Sequence, residues 1–277
     1  MGTVKITFLA DDFCPHNRLL GEHGLAVVVE NGSGKVLFDT GQGLVLKHNA
    51  RELGVHFSDI SAVAVSHGHN DHTGGLAAAL REIDRREVPV FAHEEIFRSR
   101  YKKDRGMMKP TGMAHSREDL EKLGARFFFN RTPVEVVEGM VLTGEIKRYI
   151  DELPGGTHFI KVGEELLADP FLDDQALVIE SNKGLIVILG CTHAGIKNTL
   201  KHIEEMTGEK TLYAIFGGTH LLRSEEEQLQ SALEEIERRK VKVLGLSHCT
   251  GIRPFAFFAG HFSGEYIQGH AGLSWSV

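Results

Sequence analysis

Short apolar segments alternate with amphipathic helical segments along the whole chain, and the second half repeats the order of the first. The first half opens with strand-like segments at residues 4–9, 25–30 and 35–39, and the second with a hairpin-like pair at residues 176–180 and 185–189. Further strand and helix segments follow in each half. Because an amphipathic helix buries its apolar face against a sheet, this order predicts an α/β chain of two similar halves, each a sheet covered by helices.

The 277 residues fit one large domain. Residues 93–170 are less regular than the rest, and the Gly, Met and Pro content of residues 102–115 predicts a mobile loop there. Residues 149–170 are predicted to form an excursion over the surface. We interpret residues 1–277 as a single domain with an elaboration at 93–170, and we expect the substrate pocket to be lined by residues 102–115 and 150–172.

Charge and apolar patterning limit the classes of partner. The net charge is −7 at pH 7, so the basic face of a nucleic-acid-binding protein is not expected. Apolar runs such as residues 185–189 are too short to cross a bilayer, and the N-terminal residues alternate as in a strand rather than a signal peptide. Three cysteines without a CxxC pair exclude a disulfide framework. We therefore expect a cytoplasmic protein with a small-molecule substrate; the oligomeric state stays open.

The chain has 16 histidines, and three of them stand together in residues 66–75, SHGHNDHTGG. His67, His69, Asp71 and His72 are four potential metal ligands within six positions, directly after an apolar strand and directly before a helix. Such a turn makes side chains converge, and the helix N-terminus favours negative charge nearby, such as a bound hydroxide. This segment therefore predicts a metal centre.

Three more histidines stand just past the ends of apolar strands. They are His193, His220 and His248, each among glycines and small residues that allow close backbone approach. Because ligands bind at the carboxyl ends of strands in open α/β sheets, we expect these side chains to reach the same centre. His23 and His158 lie in loops that could also reach it.

Six imidazoles and a carboxylate exceed the four ligands of one tetrahedral ion. The count indicates two divalent metal ions, about 3.5–4 Å apart as in other two-metal sites. Imidazole with carboxylate suits zinc, iron or manganese, and zinc is favoured. Such a pair lowers the pKa of a bridging water to about 7 and so supplies hydroxide at neutral pH.

The motif at residues 66–75 resembles the HxHxDH motif of the metallo-β-lactamase superfamily. Residues 38–41, FDTG, resemble the strand and aspartate that precede the motif there, and the resemblance extends from about Val4 to Ile267. It implies an αββα four-layer sandwich with the metals at the sheet edge between the halves. The chain is most similar to the branch named for dihydropterin-methyl ribofuranosylaminobenzene-phosphate synthase, on the phrases EHGL at 22–25, DDQAL at 173–177, GCTHAG at 190–195 and HCTG at 248–251.

One part of the family pattern is not matched. Many members carry a histidine before the hairpin and a metal-bridging aspartate at its end. Here residues 171–174 contain no histidine, and Cys191 stands where the aspartate is expected. Either the Cys191 thiolate bridges the ions, or His193, two residues on and on the same strand face, supplies the missing imidazole. We favour His193 and keep Cys191 as the alternative.

The resulting assignment gives each ion three ligands: His67, His69 and His193 for one, and Asp71, His72 and His248 for the other. Asp39 orients the motif by accepting from histidine N–H groups or backbone amides. Asp71 and His220 are the candidate catalytic residues, with His220 either a further ligand or the proton donor to the leaving group.

Three functions fit this assignment. The favoured one is a metal-dependent hydrolase that uses a metal-bound hydroxide on an ester, lactone, amide or phosphoester. The second is a dihydropterin-type transferase acting on a phosphorylated pterin precursor, and the third is a redox or binding protein on the same fold. The basic run at residues 102–105 is interpreted as a solvated face, with contact to an anionic substrate as the alternative.

Overall fold

Eighteen strands form three β-sheets in the described part of the chain, residues 2–151 and 157–277 of a computed structural model. The strands are β1 Lys5–Ala10, β2 Ala26–Asn31, β3 Gly34–Phe38, β4 Ala62–Ala64, β5 Val88–Ala92, β6 Arg100–Asp104, β7 Met107–Pro110, β8 Ala125–Phe129, β9 Val134–Val137, β10 Met140–Leu142, β11 His158–Val162, β12 Glu165–Ala168, β13 Leu177–Ile179, β14 Ile186–Leu189, β15 Ala214–Gly217, β16 Val243–Leu246, β17 Glu265–Gln268 and β18 Ser274–Ser276. The α-helices of the same residues are α1 Leu46–Glu52, α2 Asn70–Thr73, α3 Leu76–Ile83, α4 Arg117–Lys122, α5 Ile196–Thr207, α6 Glu226–Arg238 and α7 Ile252–His261.

Two seven-stranded sheets face each other across one apolar core. The first has the order β18-β1-β2-β3-β4-β5-β8, and the second β17-β16-β15-β14-β13-β10-β9. Phe8 of β1 and Phe216 of β15 meet between them, with ring centroids 6.4 Å apart. Burying a phenylalanine stabilises the fold by about 1.5–3 kcal/mol, so such pairs hold the sheets together.

Helices cover the outer face of each sheet. In β14, Ile186 and Ile188 point into the core between the sheets, whereas Val187 and Leu189 point towards α5 and α6. This period-2 alternation within a wholly apolar strand is the mark of a strand buried on both faces. Helices α1 and α3 cover the first sheet in the same way. The predicted αββα four-layer sandwich is therefore confirmed.

The prediction of a mobile loop at residues 102–115 is wrong. Strands β6 and β7 pair as a hairpin within it, and β11 and β12 extend them into a third sheet of order β12-β11-β6-β7. The hairpin turns on Arg105 and Gly106, both with positive φ (48° and 82°), as a tight two-residue turn requires. The sequence pattern did not reveal this turn, because its first position holds an arginine instead of the usual Asn, Asp or Gly.

The predicted surface excursion at residues 149–170 contains a second hairpin, β11 and β12, in which His158 and Ile160 are buried. Residues 152–156 of the predicted excursion lie outside the described part of the chain. Within residues 93–170, β8 joins the first main sheet, and β9 and β10 join the second. The single-domain interpretation stays a prediction. Among the described residues, we find no helix of the length and apolar character needed to cross a membrane.

Candidate metal centre

The SHGHNDHTGG segment forms a tight connection between β4 and α2. His67 and His72 are fully buried, and His69 stands at the first turn of α2 as its N-terminal flanking residue. The Gly68 N–H donates to Asp173 Oδ2 at 2.7 Å, and a Cβ at Gly68 would collide with the carbonyl oxygen of Ile96. The loop is therefore fixed by contacts that a larger residue at Gly68 would break, and its histidines point inward together.

His67, His69 and His193 form a first cluster. Their ring centroids lie 4.7–4.9 Å apart, and one ring nitrogen from each falls within 4.8 Å of the others. The ring of His193 stacks on Phe171 at 4.1 Å, with 6° between the planes, which fixes its orientation.

Several ring nitrogens of this cluster have nothing to bind among the described residues. His69 Nε2 and both ring nitrogens of His193 are buried there without a hydrogen-bond partner. Leaving a buried polar atom unsatisfied costs about 1–3 kcal/mol, so unpartnered nitrogens on two rings of one cluster are suited to bind a ligand. Imidazole nitrogens that converge in this way fit a divalent metal ion.

His72, Cys191 and His248 form a second cluster beside the first. His72 Nε2 lies 3.1 Å from Cys191 Sγ and 3.1 Å from His248 Nε2. Asp71 Oδ2 lies 3.6 Å from His248 Nε2. Cys191 also lies within reach of His67, between the clusters. The structure thus brings both alternatives for the unmatched position to the centre, His193 in the first cluster and Cys191 between the two.

Asp39, at the end of β3, orients the second cluster. It accepts from the Ser66 N–H at 2.7 Å, from the Ser66 hydroxyl at 2.6 Å and from His72 Nδ1 at 2.7 Å. A carboxylate only accepts, so His72 carries its proton on Nδ1 and presents the Nε2 lone pair to Cys191 and His248. These contacts are the ones that the predicted orienting role requires.

The ionisation of the first cluster and of Asp71 suits a cation. Burial, reinforced by the neighbouring histidines, holds the pKa values of His67, His69 and His193 well below the usual range. Burial acts to raise the pKa of Asp71, but nearby histidines, His72 foremost, outweigh it and keep that pKa well below its ordinary value. Neutral imidazoles with an ionised carboxylate are the forms that bind a divalent metal.

His220 and His158 extend the first cluster towards solvent. The His220 ring lies 4.5 Å from that of His193, and its Nδ1 has no partner among the described residues. The His158 ring lies 5.5 Å from that of His69 and 6.0 Å from that of His220. Burial and the charge of Lys102 lower the pKa of His158 to about 4. The geometry of His220 is compatible with both predicted roles, ligand and proton donor.

The sequence analysis missed three residues that shape the centre. Asp11 and Asp12, directly after β1, contact His248, and they follow a strand end just as the predicted histidines do. Arg100 is buried in ion pairs with Asp169 at 3.0 Å and Asp173 at 2.7 Å, so it ties the third sheet to the loop of His67. Position after a strand could have identified the first pair, whereas no sequence signal identified Arg100.

A cleft of about 990 Å³ opens onto both clusters. Lys102, Lys109 and Arg223 are among its lining residues, together with apolar side chains such as Phe13 and Leu222. The hairpin of β6 and β7 supplies two of these three cations, so the basic run at 102–105 borders the cleft in part. The volume suits a small organic molecule.

Buried His/Cys clusters at the strand ends of two facing, helix-covered sheets are typical of the di-metal site of a metallo-β-lactamase fold. The model of the metallo-beta-lactamase superfamily matches residues 20–248, and the chain belongs to this superfamily. The predicted resemblance is confirmed. A curated relative, 7,8-dihydropterin-6-methyl-4-(beta-D-ribofuranosyl)-aminobenzene-5'-phosphate synthase of Methanocaldococcus jannaschii, is 33% identical over 97% of this chain and 95% of that protein.

Solved structures share the whole fold. Tm1679, described as a metal-dependent hydrolase of the beta-lactamase superfamily, has a TM-score of 0.86 and 31% identity, and the match covers 99% of both chains. Zn²⁺-bound PqqB from Methylobacterium extorquens has a TM-score of 0.60 at 12% identity, covering 98% of this chain and 99% of that one. The latter likeness shows the fold alone.

Proposed function

We propose that the protein is a metal-dependent hydrolase in which two divalent metal ions, zinc by preference, activate water against a small-molecule substrate. The observation that carries this proposal is the set of buried ring nitrogens of His69 and His193 that have no partner among the described residues. The likeness to Tm1679, which is described as a metal-dependent hydrolase, supports it.

Each ion would have its own set of ligands: His67, His69 and His193 for one, and Asp71, His72 and His248 for the other, with Cys191 within reach of both. When bound, such ions supply Lewis acidity and lower the pKa of a coordinated water to about 7. Soft thiolate and imidazole donors together favour zinc over manganese.

The remaining residues orient the metal ligands and supply a proton to the leaving group. Asp39 fixes His72 by accepting from its Nδ1, and the Ser66 hydroxyl lies 2.9 Å from Nδ1 of His67. His220 lies at the cleft, beside His193, and would donate a proton to the leaving group. Phe171 stacks on His193 and covers one face of its ring, which keeps water from that side.

A substrate screen with a matched variant tests the proposal. Purified protein loaded with zinc is assayed on phosphodiester, lactone and thioester substrates, with the His67→Ala/His69→Ala double variant as the control. We expect hydrolysis of at least one class by the wild type, and loss of both metal and turnover in the variant. Unchanged metal content in the variant, measured by elemental analysis, would contradict the ligand assignment.

A transferase is the second candidate, and two observations favour it. The synthase of M. jannaschii is 33% identical over nearly the full length. The cleft is lined by Lys102, Lys109 and Arg223 although the chain carries a net charge of −7, and such cations suit a phosphorylated substrate. In this function the same centre would hold a phosphate or diphosphate leaving group, and no water would attack.

Diphosphate release separates the two candidates. Metal-loaded protein is incubated with a pterin diphosphate and an aminobenzene acceptor, and diphosphate is measured with and without the acceptor. Release that needs the acceptor supports the transferase, whereas release without it, or activity on the hydrolase panel, supports the hydrolase.

A further inference from the structure

We propose that Asp12 is a positioning residue for the metal centre, which fixes the ring of His248 and holds His23 against Asp71. Asp12 lies directly after β1, in the first half of the chain, whereas His248 follows β16 in the second half. The proposal rests on the metal centre of the proposed function and assigns a role to a residue outside the predicted ligand sets.

Both carboxylate oxygens of Asp12 are engaged by imidazoles. Oδ1 accepts from His248 Nδ1 at 2.6 Å, and Oδ2 accepts from His23 Nδ1 at 2.7 Å. The Gly24 N–H also donates to Oδ1, at 3.1 Å. Because a carboxylate only accepts, each histidine carries a proton on Nδ1 and leaves Nε2 facing the other way.

The two Nε2 atoms face the same ligand. His248 Nε2 lies 3.6 Å and His23 Nε2 3.3 Å from Asp71 Oδ2. The Asp12 carboxylate thus binds His248 through one oxygen and His23 through the other. Since His23 lies against Asp71, this connects the second half of the chain to the motif loop. Hydrogen bonds of this kind set the tautomer and direction of ligating histidines.

Asp11 contacts the backbone of His248, and Asp12 contacts its ring. Asp11 Oδ2 accepts from the His248 backbone N–H at 3.0 Å, where the backbone has a positive φ of 50°. Asp12 holds the ring instead. The arrangement parallels Asp39, which accepts from His72 Nδ1 at 2.7 Å. Asp39 is fully buried, but the Asp12 side chain is 36% exposed, so its replacement need not unfold the chain.

Metal titration of Asp12→Asn tests the proposal. An amide has one acceptor oxygen and cannot accept from both histidines, so we expect one of the two ions to bind about 10–100-fold more weakly and the other to bind as in the wild type. Zn²⁺ affinities are measured by competition with a chromophoric chelator. The absorption spectrum of the Co²⁺-substituted protein reports the geometry at the weakened site. Asp59→Asn, in an ion pair with Lys35 away from the residues that line the cleft, is the control and is expected to change neither readout.

Asp12→Glu keeps the carboxylate and separates positioning from folding. We expect it to restore affinity towards the wild type, with the thermal unfolding of the metal-free variants unchanged. Wild-type affinity for both ions in Asp12→Asn, or an equal loss in Asp12→Glu and Asp12→Asn, would overturn the proposal. A wild type that binds metal but hydrolyses nothing leaves the positioning role standing and removes only the proposed function, whereas a wild type that binds no metal removes both.

Discussion

Replacing Arg100 by methionine tests how the third sheet supports the metal centre. The guanidinium donates to Asp169 at 3.0 Å, pairs with Asp173 at 2.7 Å and donates to the carbonyl of Glu95 at 3.0 Å. The side chains of Arg100 and both aspartates are at most 2% exposed. Methionine keeps much of the apolar stem and removes the charge, which leaves two buried carboxylates without their cation.

The expected loss is large. Removing one partner of a buried ion pair costs about 3–5 kcal/mol, because the remaining charge is buried and uncompensated. With a urea slope of roughly 2–3 kcal/mol per molar, the unfolding midpoint of the metal-free protein should fall by roughly 1–2.5 M. Lys47→Met, at an exposed pair with Glu82, is the control and should leave the midpoint unchanged.

A second variant separates charge from packing. Arg100→Met with Asp169→Asn removes one of the stranded carboxylates, so it should be more stable than Arg100→Met alone. Asp173 also accepts from the Gly68 N–H, so zinc affinity should fall in both variants as the motif loop loosens. A midpoint for Arg100→Met within roughly 0.3 M of the wild type would refute the reasoning, because it would show that these carboxylates do not need the guanidinium.

Three further predictions concern single side chains. His220→Ala should keep both metal ions but lose turnover, measured by elemental analysis and assay; loss of metal would instead make His220 a ligand. Cys191→Ala should weaken binding of the ion beside His72, because the thiol sulfur lies 3.1 Å from His72 Nε2. His193→Ala should weaken binding of the other ion. The same Zn²⁺ titration profile in both variants would contradict the presence of two separate clusters. Burial lowers the pKa of His202 below its ordinary 6.5, so near and below pH 6.5 the unfolded chain binds more protons than the folded one, and stability falls as the pH is lowered. His202→Gln should flatten this dependence of stability on pH in urea titrations. An unaltered dependence would show that other groups set it.

Local patterns predicted the motif loop, whereas long-range contacts escaped them. The four predicted ligands of the motif lie within six positions, and the sequence pattern also shows the strand before them and the helix after them. That the two sheets face each other came from the family resemblance, since alternation within β14 says only that both faces are buried. Asp12 was missed because its partner His248 lies 236 residues away.

The third sheet shows a different limit. The turn at Arg105 and Gly106 needs positive φ at both positions, and an arginine does not predict this conformation. The contacts of Arg100 with two aspartates far along the chain then fix the hairpin against the motif loop. Composition alone described a loop, because it reports neither the pairing partner nor the buried charges.

The central claim is that two metal ions lie where the imidazoles converge. Anomalous diffraction from crystals of the zinc-loaded protein, collected on both sides of the zinc edge, locates them directly. We predict two peaks per chain, one among His67, His69 and His193 and one among Asp71, His72 and His248. Difference maps with no anomalous peak within bonding distance of these side chains would contradict the claim.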